Sequence, residues 1–150
     1  MELTRIRKKD GMAATKFTVI EAAALLGVSD DTVRRWAEAS RLTLVSGANG
    51  RSLVDGLELA GLAQELANES ALVAAFPRSK ASARNRITGI VTRVVKDGVM
   101  AQVELQAGPF RIVSLMSREA ADELQLEPGT LATASVKATT VVVELPEAHR

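Results

Sequence analysis

The sequence predicts an α+β fold of two domains, a mainly helical N-terminal domain followed by a small β domain. Between residues 18 and 68, apolar residues recur at intervals of three and four, which is typical of helices. From residue 83 onward they alternate with a period of two, which is typical of half-buried strands. A basic stretch after Pro77 separates the two patterns. The expected boundaries are a flexible basic arm at 1–16, a helical domain at 17–68, a linker at 69–80 and a β domain at 81–146.

Composition excludes several functional classes. The chain has no cysteine, and its single histidine, His149, is next to the C-terminus, so thiolate zinc sites and histidine-based catalysis are not expected. It contains no phosphate-binding loop of the Walker type, and we expect it not to be an enzyme. No apolar run approaches the roughly 20 residues that span a bilayer, and the charged N-terminus lacks the apolar core of a signal peptide. We therefore expect a cytoplasmic protein with no membrane partner.

The helical domain begins with two short helices. Thr18 and Glu21 have the spacing of a capping box, and Gly27 is a suitable C-terminal residue for the helix between them. Ser29 is expected to cap a second helix over residues 30–39, with Asp30 and the next residue, also an aspartate, near the positive end of its dipole. Two short helices joined by a tight turn with glycine predict a helix-turn-helix.

The run from Thr18 to Trp36 resembles the helix-turn-helix of the MerR/excisionase type. Members of that group follow it with a hairpin wing and a third helix. Residues 42–54 fit such a wing, and Asp55 could cap a helix that ends near Asn68. The resemblance implies a winged helix-turn-helix whose partner is double-stranded DNA. The candidate DNA-binding residues are Ser29, Thr32, Arg34, Arg35 and Arg51.

Interpretations of this domain without DNA binding stay open. It could be a small helical bundle in which Arg34 and Arg35 only keep the surface soluble. The arm at 1–16 could be a solvated tail, or it could contact the DNA backbone or minor groove. Residues 1–51 carry nine Lys or Arg against six Asp or Glu, whereas residues 87–150 carry six against eight. The N-terminal part is therefore the better candidate to face phosphates.

The C-terminal part contains four or five predicted strands and one short helix. Strands are expected at 87–95, 99–106 and 110–116, and Ser117 is expected to cap a helix that runs to Leu124. Residues 131–145 are rich in β-formers, with a possible break near 137–139. This pattern suggests a small barrel of the OB type.

Four segments of this domain occur in the order and spacing of a known family. They are Ser82-Ala83-Arg84-Asn85, the strand with Gly89, Leu124 to Gly129, and Val136 to Thr139. Together they resemble the Mop, or TOBE, domain of molbindin-like proteins over residues 81–146. The resemblance implies that molybdate or tungstate is the ligand, bound at interfaces between subunits. It also implies a homo-oligomer, for which a hexamer is expected over a dimer.

A tetrahedral dianion offers only hydrogen-bond acceptors, so its site must supply donors and positive charge. The candidate oxyanion-binding residues are Ser82, Ala83, Arg84, Asn85, Ser117, Lys137, Ala138 and Thr139. The alanines would let the backbone approach the anion. Two positions depart from many relatives, because Ala120 has no hydroxyl and Thr139 replaces proline or serine. The alternatives are that Arg84 and Lys137 are ordinary surface residues and that Asn85 only ties down its strand.

These observations favour a molybdate- or tungstate-responsive, DNA-binding transcriptional regulator. The alternative is an intracellular molybdate storage or buffering protein with a vestigial or protein-binding N-terminal domain.

Overall fold

The computed structural model describes residues 15–76 and 80–147. The chain divides into two compact units, Met1–Arg78 and Ser79–Arg150. Residues 1–14 of the expected arm and 77–79 of the expected linker lie outside the described residues. The first unit contains β1 (Lys16–Thr18), α1 (Val19–Leu26), α2 (Asp30–Glu38), β2 (Leu44–Ser46), β3 (Ser52–Asp55), α3 (Gly56–Asn68) and α4 (Ala71–Ala75). The second contains β4 (Asn85–Asp97), β5 (Met100–Ala107), β6 (Phe110–Ser117), α5 (Arg118–Glu123), β7 (Leu131–Val136) and a 3-10 turn, Ala138–Thr140.

Local capping determines where the first two helices begin. The Thr18 hydroxyl accepts from the Glu21 backbone N–H at 3.2 Å, and the Glu21 carboxylate accepts from the Thr18 N–H at 2.8 Å. This reciprocal contact with a backbone N–H holds the pKa of Glu21 below its usual range. The α1 helix ends at Gly27, whose φ of 68° is accessible to glycine at little cost. The Ser29 hydroxyl then accepts from the Thr32 N–H at 3.2 Å and starts α2.

The three strands of the first unit form an antiparallel sheet in the order β1-β3-β2. The hairpin of β2 and β3 closes through the Gly47 N–H, which donates to the Arg51 carbonyl at 2.8 Å. The Asp55 carboxylate accepts from the N–H groups of Leu57 and Glu58 at 2.9 and 3.3 Å, so α3 begins directly after β3.

One apolar core connects these elements. Its fully buried members come from α1, α2 and β3, namely Ala22, Val33 and Val54. Leu59 and Leu62 add the inner face of α3. Because α2 contributes Val33 to this core, the opposite face of α2 is exposed to solvent.

The second unit is an OB-like antiparallel sheet of order β6-β5-β4-β7. The long β4 strand has two partners: residues 85–90 pair with β7, and residues 90–97 pair with β5. A bulge lies between Val91 and Arg93. Near the change of partner, a Cβ on Gly89 would lie 2.5 Å from the carbonyl oxygen of Gln106. Glycine is therefore needed where β4 leaves one neighbour for the other.

The expected small barrel is not closed in the part of the chain that the structure describes. β6 and β7 are the two edges of an open sheet and do not pair with each other. β7 ends at Val136, which pairs with Asn85, the first residue of β4, so no residue of β4 is left to pair with the chain beyond Val136. Residues 141–147, expected to be partly strand, form neither strand nor helix.

A charged cluster lies on the sheet beside the apolar core of the second unit. Glu104 is 8% exposed and accepts from two nitrogens of Arg111, Nη2 at 2.7 Å and Nε at 2.9 Å. The Arg111 hydrogen bonds hold the pKa of Glu104 below its usual range, and the carboxylate in turn raises the pKa of Arg111. Gln102 supplies a further donor at 3.1 Å, so the buried carboxylate has hydrogen-bond donors in place of water.

Candidate functional site

The segments that carry the predicted oxyanion site meet at one end of β4 and β7. Asn85 is opposite Val136 in the last pair of the ladder, and its side-chain N–H donates to the Val136 carbonyl at 3.1 Å. Asn85 therefore ties the two segments together. Its side chain is half-buried, which suits a structural role at the base of the site.

Arg84 and Lys137 lie one residue beyond that last pair, at the same end of the sheet. Both are exposed, and neither forms an ion pair within residues 80–147. The Arg84 guanidinium donates once, to the Ala81 carbonyl at 3.2 Å, and keeps its other donors available. Two exposed cations without a described carboxylate partner therefore give this end of the sheet a positive charge.

The other predicted site residues lie on the same two segments and differ in their exposure. Ser82 is exposed and Ala83 is half-buried just before β4. After Lys137 the chain enters the 3-10 turn with Ala138 and Thr139, both exposed. This turn lies at the break that was expected near 137–139, although its 3-10 geometry was not predicted. The Thr140 hydroxyl donates to the Lys137 carbonyl at 2.9 Å. A threonine three residues after Lys137 was therefore the sequence signal for a local turn.

Ser117 does not join this group within one chain. Ser117 of β6 is opposite Met100 of β5, and Met100 is also opposite Asp97, the last residue of β4. Asn85 is at the other end of β4, so Ser117 lies far from it along the sheet. Its hydroxyl caps α5 by accepting from the Ala120 N–H at 3.1 Å. Nearby, Lys96 and Asp122 form an ion pair that fastens α5 to the sheet and lowers the pKa of Asp122. The sequence grouped Ser117 with residues that the single chain keeps apart.

The candidate DNA-binding residues in the first unit fall on two surfaces. The first is a hydrogen-bonded row along α2: the hydroxyls of Ser29 and Thr32 are 2.9 Å apart, and Arg35 Nη2 donates to the Thr32 hydroxyl at 3.2 Å. The second is a cleft that brings Arg34 of α2 together with Arg51 beside the β2–β3 turn.

The cleft also contains residues that sequence reasoning missed. Its other side is the start of α1, where Ile20 is 73% exposed. The available sequence signal was its position, because Ile20 stands between the capping-box residues Thr18 and Glu21 in the first turn of α1. By contrast, Arg41 lies 5.6 Å from the Trp36 ring centroid and 3.8 Å from Glu65, so this arginine serves the packing of α2 against α3.

Two negative findings concern residues 15–76 and 80–147. Every helix there is too short or too polar to cross a membrane. Within the same ranges, no group of three or more His, Cys, Asp or Glu side chains is arranged to hold a metal ion.

The second unit matches a known family. The family profile described as TOBE domain covers residues 81–143. A curated relative, molybdenum-pterin-binding protein 3 of Clostridium pasteurianum, is 38% identical over 63 residues, which are 41% of this chain and 93% of that protein. The chain therefore belongs to the TOBE domain family.

Three solved structures are similar to this chain. A molybdate-binding protein from Sporomusa ovata is 33% identical, with a TM-score of 0.43, over 45% of this chain and all of that one. MopII from Clostridium pasteurianum is 36% identical, with a TM-score of 0.42, over 44% of this chain and all of that one. The cytoplasmic molybdate-binding protein ModG, solved with molybdate bound, is 38% identical over 45% of this chain and 49% of its own, with a TM-score of 0.43.

Proposed function

We propose that the protein is a DNA-binding transcriptional regulator that responds to molybdate or tungstate. The second unit would bind the oxyanion at an interface between subunits, and the first unit would bind double-stranded DNA as a winged helix-turn-helix.

The observation that carries the ligand assignment is the pair of cations at the end of β4 and β7. Arg84 and Lys137 are exposed, close in register and free of ion pairs among the described residues of their unit. Hydroxyl groups at Ser82 and Thr139 lie on the same two segments. A tetrahedral dianion needs this mixture of charge-assisted and neutral donors. Membership of the TOBE domain family, with relatives that are named as molybdate-binding proteins, supports the same ligand.

The need for a second subunit follows from what one chain leaves exposed. Val142, Val143 and Leu145 are 86%, 87% and 93% exposed, and they lie just after the 3-10 turn that follows β7. The sheet has two unpaired edges, β6 and β7, among the described residues. Exposed edges and an exposed apolar segment favour association of copies of the chain. Association would also allow Ser117 of another subunit to reach the cation pair.

The first unit supports DNA binding through its order of elements and its surface charge. The α1, α2, hairpin and α3 elements occur in the order expected for a winged helix-turn-helix. Arg34, Arg35 and Arg51 lie on the exposed side of α2 and beside the hairpin turn. An arginine-rich surface of this kind suits contact with phosphates and base edges.

Coupling between the two units follows from linkage. If the oxyanion binds one quaternary arrangement more tightly than another, it shifts the population toward that arrangement. Paired recognition helices must match half-sites about 34 Å apart, so a change of arrangement changes DNA affinity.

The test uses the full chain and a DNA duplex selected with it from a random pool. Fluorescence anisotropy would measure DNA affinity with and without saturating sodium molybdate, at constant ionic strength, with sodium sulfate as the control. The proposal expects molybdate to change the Kd, and the variant with both Arg84→Gln and Lys137→Gln to bind DNA but not respond. Equal Kd values with and without molybdate would reject the regulatory switch.

A storage protein is the second candidate, and one observation favours it. The residues matched here make up 93% of the relative from C. pasteurianum, so a protein can consist almost entirely of this domain. In that case calorimetry would show several molybdate ions per oligomer, no duplex would be selected from the pool, and Arg34→Gln would leave all binding unchanged.

A further inference from the structure

The geometry of α2 separates the two neighbouring arginines. Val33 is fully buried and marks the direction of the core. At about 100° per residue, Arg34 lies about 100° from that direction and Arg35 about 200° from it. Arg35 therefore points away from the unit, while Arg34 lies on a flank of the helix.

The flank that carries Arg34 faces the hairpin turn. Arg34 and Arg51 line the same cleft, together with Gly50 and the start of α1. Neither arginine forms an ion pair within residues 15–76. Gly50 has a φ of 76°, and a Cβ there would meet no atom within 4 Å, so the turn leaves open space beside the two cations. Two cations from different elements around open space suit a DNA phosphate.

The outward face that carries Arg35 has a different chemistry. Asp31, four residues before Arg35 and about 40° from it around the helix, is the carboxylate of that face, whereas Glu38 lies about 40° from Arg34 and lines a separate depression with it. Carboxylates are repelled by a phosphate backbone, but on a groove floor they can accept from the cytosine amino group. The side chain of Arg35 is oriented by its hydrogen bond to Thr32, which is itself bonded to Ser29. An oriented guanidinium loses less conformational freedom when it forms a bidentate contact.

We infer that Arg35 determines sequence specificity by contacting a base edge, whereas Arg34 and Arg51 together contact the DNA backbone. This inference rests on the proposed DNA-binding function and assigns different roles within its surface. Thr32 is a positioning residue for Arg35.

The test compares single variants on two duplexes, one selected from a random pool by the wild-type chain and one with the same base composition in scrambled order. Each Kd is measured at several salt concentrations. Arg35→Gln should weaken binding to the selected duplex about 5- to 150-fold and leave the scrambled duplex nearly unaffected. Arg34→Gln and Arg51→Gln should weaken both duplexes by the same factor and reduce the slope of log K against log salt by about 0.9. Arg41→Gln is the matched control, because Arg41 packs on Trp36.

Thr32→Val provides a second readout. It removes the hydroxyl that orients Arg35, so it should reduce discrimination between the duplexes without changing the salt slope. The inference is overturned if Arg35→Gln weakens both duplexes equally, or if Arg34→Gln abolishes discrimination. In both of these outcomes DNA binding itself stands. If the wild-type chain binds no duplex at all, the proposed function fails and the inference fails with it.

Discussion

Removal of one cation from the end of β4 and β7 should weaken oxyanion binding and leave the fold intact. Lys137 and Arg84 are both exposed, so a dielectric near that of water applies. Two unit charges 4 Å apart then interact by about 1 kcal/mol, and a dianion doubles this to about 2 kcal/mol. That range agrees with about 1.5–3 kcal/mol for a hydrogen bond to a charged group. We expect Lys137→Gln or Arg84→Gln to raise the Kd for molybdate roughly 30-fold.

The same geometry predicts the sign of the effect on the unliganded protein. Like charges in water repel by only about 1 kcal/mol even at 4 Å, so removal of one should leave the melting temperature unchanged or slightly higher. Calorimetric titration with sodium molybdate at fixed ionic strength measures the first effect, and thermal unfolding measures the second. Arg93→Gln, elsewhere on β4, is the control for the change in net charge in the titration only, because Arg93 also lies 3.8 Å from Glu104 and its loss can affect unfolding. If wild type binds molybdate and both variants bind it within twofold of wild type, the two cations are not in the site.

Three further predictions concern stability. Asp55→Ala removes the cap of α3 and should cost about 1 kcal/mol in urea unfolding, while Asp55→Asn should retain most of it; equal losses would contradict the capping role. Gly89→Ala should lower the free energy of unfolding by about 1–3 kcal/mol, because its Cβ would lie 2.5 Å from the Gln106 carbonyl oxygen. Gly61→Ala, in open space within α3, should instead raise it by up to about 1 kcal/mol. No loss of stability in Gly89→Ala would disprove the close approach. The pKa of Glu104 is lowered by its arginine partner, so its stabilisation is present above the unfolded pKa and is lost as pH falls through the folded pKa; the stability difference between wild type and Glu104→Gln should shrink from pH 7 toward pH 3, and a constant difference would refute this.

Sequence reasoning succeeded where structure is decided by neighbours along the chain. The cap at Thr18, the glycine at Gly27 and the cap at Asp55 each act within four residues, so their identities define where helices begin and end. The period-two pattern similarly predicted β5 and β6 to within one or two residues of their observed bounds.

The meeting of the predicted oxyanion-binding segments at one end of the second unit was predictable for a different reason. Its segments resemble a family whose pattern spans 81–146, and the family profile matches residues 81–143. The register of β4 and β7 then brings Arg84 to the same end as Lys137. The family pattern therefore predicted that two segments distant in the sequence lie close together, which hydrophobic periodicity alone cannot predict.

Only the tertiary structure decided which strands pair and which residues share a surface. The sequence predicted a small OB-like barrel, whereas among the described residues β4 divides its length between β5 and β7 and leaves β6 and β7 as the edges of an open sheet. It grouped Ser117 with Arg84, but strand pairing puts them at opposite ends of β4. Strand partners and facing side chains depend on residues far apart in sequence, and in an assembly on other chains. Caps, turns and periodicity depend on nearby residues, so they determine the helices and strands of this protein without determining how those elements pair and pack.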